Sequence, residues 1–221
     1  MLQKYTLKFL KELPKNNNKP WFDANRKDYE MAKEDFEIFV QGVIDKFGKK
    51  DETIRGLKAK ECIFRINRDI RFSKDKSPYK DNFGAYINRG GKKSIYAGYY
   101  FHCMPGGSFT GGGLWLPQAP ETKKLRQEID YSWDEFKKIV GSKKFKSVYS
   151  DLTRDEESSL STMPKGYEKD NPAANYLKLR SWIALRKLSD ADLNSKDLQK
   201  ITIDAFETLL PLVKFINHAL D

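Results

Sequence analysis

The sequence predicts an α+β fold, because strand-like segments cluster in its middle, helical periodicity dominates both ends, and no β-α-β alternation links them. The sheet is expected to be mainly antiparallel, with N- and C-terminal helices flanking it. With 221 residues, 39% of them apolar, the chain can bury a proper core and is read as a single domain over 1–221.

Each element has its own signal. Thr6 is placed to cap a short amphipathic helix carrying Leu7, Leu10 and Leu13, which Pro14 and the asparagines at 16–18 terminate. Pro20 suits a first helical turn, and Trp21, Phe22, Tyr29, Phe36, Phe39, Val40, Val43, Ile44 and Phe47 then keep helical spacing up to Gly48. A charged loop over 49–59 leads to strands expected at 61–67, 83–89, 94–104 and 108–116, each rich in aromatic or β-branched residues and bounded by Gly, Pro or Asn. Hairpin turns are expected at 88–91 and 104–107, where glycine tolerates positive φ. Helices follow over 119–131 and 132–140, while 150–175 is too polar to assign. Residues 182–188 read as one more strand, and 195–220 as a strongly apolar helix kinked or broken at Pro211.

Composition excludes several function classes. No apolar run is long enough to cross a bilayer, and lysine alternates with leucine at the N-terminus where a secretory signal needs an unbroken apolar stretch, so a cytoplasmic protein with no membrane partner is expected. Cys62 and Cys103 are the only cysteines and read as reduced core thiols. With His102 and His218 as the only histidines, no metal site is expected. The glycine-rich run 106–113 leads into a strand and lacks the Gly-Lys-Ser/Thr ending of a phosphate loop; no dinucleotide fingerprint or hydrolase elbow occurs either, so no cofactor is expected.

The net charge is +10, and its distribution is uneven. From 58 to 93 there are eleven Lys and Arg against four Asp and Glu, a surplus of seven. The densest part is FRINRDIRFSKDKSPYKDN over 64–82. In an extended chain, Arg65, Asp69 and Arg71 share one face with Asn67; in a helical turn, Arg65, Arg68 and Arg71 approach one another. Either arrangement crowds guanidinium groups that Asp69 alone does not neutralise. The crowding is relieved by a bound phosphate or carboxylate, or by an internal ion-pair network through Asp69, Asp75 and Glu61. Residues 73–80 must form a loop, and Lys74, Lys76 and Lys80 on it are placed to close over an anion. Candidate ligand-binding residues are therefore Arg65, Arg68, Arg71, Lys74, Lys76 and Lys80. Candidate proton-moving residues are Asp69, Asp75, Tyr79 and His102, the last either a general base or a strand histidine satisfied within the sheet.

The Asn16 to Phe22 turn, the FRINRDIRFSKDKSPYK core and the strand Tyr99-Tyr100-Phe101-His102 followed by a glycine-rich hairpin resemble a widespread family of conserved microbial and fungal proteins of unknown function. The RDxRFSKDKSPYK string is long and specific, and the similarity runs through nearly the whole chain. The resemblance implies one full-length domain and supplies no reaction. Two classes follow from the residues themselves. One is a protein binding or acting on an anionic, phosphorylated small molecule through the Arg/Lys cluster; the other is a non-catalytic module binding nucleic acid or an acidic protein through the same patch.

Overall fold

Local preference alone does not start the first helix of the computed structural model, which describes residues 1–154 and 159–221. Helix α1 spans Lys4–Glu12, so Thr6 lies inside its first turn rather than capping it. The start is held instead by Asp35 of α3 (Arg26–Phe47), whose carboxylate accepts from the Gln3 amide at 2.8 Å and from the buried Thr6 hydroxyl. The helix expected over 20–47 is two, because α2 (Lys19–Ala24) ends at Asn25, whose side chain donates to the Trp21 carbonyl at 2.8 Å. Asn18 caps α2 by accepting from the Trp21 amide.

The 61–67 segment is not a strand. Glu61 accepts from the Lys58 amide and Gln41 from the Ala59 amide, which sets up a single helical turn, α4 (Ala59–Cys62). The chain then runs beside the edge of β1 (Phe83–Asn88), touching it through the Ile63–Ala85 bridge and a bond from the Phe64 amide to the Gly84 carbonyl.

Strands β1, β2 (Gly98–Cys103), β3 (Phe109–Leu114) and β4 (Trp182–Lys187) form one antiparallel sheet in the order β1-β2-β3-β4. The two hairpin turns fall where glycine predicts them, with positive φ at Gly90, Gly91 and Gly106. Strand β2 starts at Gly98 rather than near 94, because the Asn88 side chain binds Ser94 Oγ and the Tyr96 carbonyl and holds the intervening residues as a loop. Strand β3 has almost no side chains in its centre. A Cβ at Gly113, where φ is 121°, would lie 2.0 Å from the Trp182 carbonyl oxygen, so glycine is needed for β3 to lie this close to β4.

Side-chain alternation divides the sheet into two faces. Phe83, Ala85, Ile87, Tyr99, Phe101, Cys103, Trp182 and Ala184 are buried on one of them. Phe36, Phe39 and Phe47 of α3 and Phe206 of α10 (Leu198–Leu220) pack against that face. Helix α10 passes through Pro211 unbroken, with Phe206, Leu209, Leu212, Val213 and Ile216 buried on both sides of the proline, so packing holds the helix across the missing hydrogen bond. Helices α5 (Ala119–Tyr131), α6 (Trp133–Gly141) and α7 (Lys143–Tyr149) follow the sheet's third strand. The polar 150–175 stretch, within the described residues, contains turns and the start of α8 (Ala174–Leu177); α9 (Asp190–Asn194) links β4 to α10.

Candidate functional site

The signature segment folds into a loop fastened at its stem and paired at its tip. Its stem is closed by the Asn67–Tyr79 bridge, by the Arg68 amide on the Pro78 carbonyl at 2.9 Å and by the Lys80 amide on the Ile66 carbonyl at 2.8 Å. Asn17 exchanges two hydrogen bonds with the Tyr79 main chain, and the buried Tyr79 ring stacks on Phe22 at 3.9 Å. Asp75 accepts from the Ser77 amide and hydroxyl and pairs with Arg68, which together hold its carboxyl far below the usual range. Arg71 pairs with Asp69 through two bonds of 2.9 and 2.7 Å, lowering the Asp69 pKa. Lys76 donates to the Ile70 carbonyl, and Lys74 is exposed.

The three arginines therefore do not converge. Arg68 and Arg71 each take their own aspartate, and Arg65 stands apart. The apolar neighbours that would have pulled them inward divide between environments: Ile66 and Tyr79 are buried, but Phe72 is 94% exposed. Lys80 reaches back to the Arg65 carbonyl at 3.0 Å, with its ammonium 5.4 Å from the centre of the Phe64 ring. Its pKa is lowered by partial burial and then by the like charge of Arg65.

Phe64 leads to a second region. The face of the sheet opposite α3 and α10 carries Tyr86, Tyr100, His102, Phe109 and Leu185, and with the loops at 92–96 and 115–118 it encloses a groove of about 720 Å³. This is within the size range of small-molecule sites. His102 stacks on Phe109 at 4.5 Å with the rings nearly parallel, and its Nδ1 is hydrogen-bonded to the Tyr100 hydroxyl at 3.0 Å. Burial lowers the His102 pKa and pushes that of Tyr100 up to about 12, so both are neutral near pH 7. Tyr86 donates to the Gly113 carbonyl at 2.9 Å and is locked in place. Trp115, 63% exposed, stands on the rim, and Glu121 at the start of α5 lines the wall with one buried carboxylate oxygen that has no partner among the described residues. Lys92 and Lys93 close the end nearest Phe64.

Of the sequence candidates, the groove contains His102 alone, while Arg65 and Lys80 flank it through Phe64. Tyr86, Tyr100, Phe109, Trp115, Glu121, Lys92 and Lys93 were not singled out. The in-phase positions Gly98, Tyr100 and His102 on an alternating strand carried part of that signal; which face stays open depends on where the helices pack. Among the described residues no group of His, Cys, Asp or Glu is arranged to hold a metal ion, and no helix is long and apolar enough to cross a membrane.

Comparison with known families matches residues 5–215 to the model of a conserved hypothetical protein family, DUF2461. The chain belongs to that family. No curated protein and no solved structure matches it. The DUF2461 match spans the signature loop, all four strands and most of α10, so groove and loop both lie inside the family domain.

Proposed function

We propose that the open-face groove binds a small molecule with a flat aromatic part and an anionic part, a nucleotide being the simplest compound of that kind. The observation that carries this reading is a concave sheet surface lined by Phe64, Tyr100, His102, Phe109 and Trp115 that ends at Lys92 and Lys93. Aromatic faces stack on a planar ring, and lysines at one end supply the counter-charge for a phosphate or carboxylate. Arg65 and Lys80 lie beyond Phe64, outside the groove itself. Arg68 and Arg71, already paired with Asp75 and Asp69, act in this reading as props of the signature loop. Should a reaction occur, proton transfer falls to His102, whose neutral ring beside the Tyr100 hydroxyl is able to accept a proton in the groove.

The competing reading is a strand of nucleic acid stacked along the same face, favoured by the fully exposed Phe72 on its basic loop. Titration of Trp115 fluorescence with purine and pyrimidine monophosphates, ribose 5-phosphate and a single-stranded oligonucleotide at two salt concentrations separates the two. The groove reading expects base-bearing phosphates to bind better than ribose 5-phosphate, with binding abolished by Tyr100→Ala and weakened by Lys92→Ala/Lys93→Ala. Oligonucleotide binding alone, falling by about a thousandfold between low and physiological salt, would transfer the function to the strand.

A further inference from the structure

The groove does not end at its lysines. On the other side of the extended residues 63–66, between them and α3, lies a second hollow of about 630 Å³, and the two hollows meet at Phe64, Lys92 and Lys93. Lys33, Lys60 and Arg65 also line the second hollow, against a single carboxylate, Glu37. Glu37 is engaged by Lys33 at 3.3 Å. Five cations less one carboxylate leave four positive charges, and among the described residues no carboxylate pairs with Lys60, Arg65, Lys92 or Lys93. The Lys92 ammonium is held in place by the Lys60 and Glu61 carbonyls, both at 3.1 Å, so the junction between the hollows is built rather than floppy.

A single phosphate carries one to two negative charges, which Lys92 and Lys93 suffice to balance. Lys60 and Arg65 would then face an empty hollow of like charge. We infer that the ligand carries more than one phosphate, and that phosphates beyond the first pass Phe64 into the second hollow and lie against Lys60, Arg65 and Lys33. The inference rests on the aromatic-plus-anion reading of the groove. Successive phosphates tethered to a stacked ring occur in nucleoside polyphosphates and in short oligonucleotides, and the chemistry required of the protein is the same.

The test compares a nucleoside monophosphate, the corresponding triphosphate, a trinucleotide and oligoglutamate, each titrated against the full chain and against Lys60→Ala/Arg65→Ala. Both substituted residues are exposed, so the variant is expected to keep its unfolding midpoint. The expected result is that the triphosphate, the trinucleotide or both bind at least tenfold more tightly than the monophosphate. That gain should disappear in the double variant, while monophosphate affinity stays within about twofold. A gain for the triphosphate alone identifies a free nucleotide, and for the trinucleotide alone a strand end. If the monophosphate binds and neither longer ligand binds more tightly, or if the gain survives in the double variant, the second hollow has no phosphate role and the groove reading stands without it. Oligoglutamate matching the phosphorylated ligands overturns the phosphate assignment. If nothing binds, the groove reading fails and this inference fails with it.

Discussion

Tyr99 and Tyr100 are neighbours on β2, yet alternation sends one into the core and leaves the other in the groove. The Tyr99 hydroxyl donates to the buried Asp51 carboxylate at 2.7 Å, and its ring packs on Phe47 and Phe206. The Tyr100 hydroxyl meets His102 in a half-buried cleft on the face opposite α3 and α10. The same division separates Phe101 from His102 and Phe109. Antiparallel sheets commonly leave one face to solvent, but solvent-facing positions are then mostly polar. Here the open face is aromatic, which is the pattern of a surface that meets a ligand. The covered face therefore carries stability, and the open face is the one proposed for recognition.

The largest expected contrast is between Phe101 and Phe109. Phe101 is buried against Phe39 at 4.7 Å, so Phe101→Ala should cost about 3–5 kcal/mol through lost transfer energy and the cavity left behind. Phe109 is half-buried and stacks on His102, so Phe109→Ala should cost about 1 kcal/mol while weakening ligand binding. Urea unfolding of the two variants decides the matter. Equal losses would show that the open face is as much a part of the core as the covered one.

The contrast also marks what sequence can carry. Strand alternation around Tyr99-Tyr100-Phe101-His102, the glycine turns at 88–91 and 104–107 and the helix at 119–131 all depend on neighbours in the chain, and they appear where local pattern puts them. Tertiary partners account for the rest. Asp35 starts a helix 29 residues from Thr6, packing carries α10 through Pro211, and α4 replaces a strand because Gln41 accepts from the Ala59 amide. The basic segment shows the same limit. Its charge density was legible, but the cations that gather are Lys60, Arg65, Lys92 and Lys93, brought together by the β1–β2 hairpin, rather than Arg65, Arg68 and Arg71. Charges close in sequence paired locally with Asp69 and Asp75, leaving the more distant ones to line the hollows.

An intermediate effect is expected from the hydroxyls of the two tyrosines. Tyr99→Phe leaves one oxygen of the buried Asp51 carboxylate without its donor, although Thr53 still serves the other, and should cost about 1–3 kcal/mol. In Tyr100→Phe the bereft atom is a ring nitrogen in an open groove that water can reach, and the loss should stay below about 1 kcal/mol. Paired denaturant melts of the two variants sharpen the comparison. A reversed order would mean that the His102 contact, rather than the Asp51 contact, stabilises β2.

The smallest effect lies in the pH dependence, where the two faces should limit stability at opposite ends. Burial lowers the His102 pKa, with Asp81 opposing it weakly, so the unfolded chain takes up the imidazole proton first as pH falls. The His102 contribution is therefore fully present above its unfolded pKa, about 6.5, and is lost as pH drops below that value towards the lower folded one. Cys103, next in sequence but facing the core, has its pKa raised chiefly by burial, so its contribution is present below the unfolded thiol value of about 8.5 and is lost as pH rises past it. The lowered carboxylates of Asp69, Asp75 and Asp192 act in a separate window, losing their contribution only as pH falls below the unfolded value of about 4. Unfolding midpoints at pH 7.5, 6.5 and 5.5 should fall with acidity in the unmodified chain and fall less in His102→Gln, which retains a hydrogen-bonding group beside Tyr100. Cys103→Ala should lower the midpoint by a pH-independent amount for the buried sulfur it removes and change the pH slope only on the alkaline side, above about pH 8.5. Identical acid slopes for the unmodified chain and His102→Gln would mean that the groove solvates the imidazolium freely. His102 would then titrate as an ordinary surface histidine, and the open face would be wetter than its aromatic lining implies.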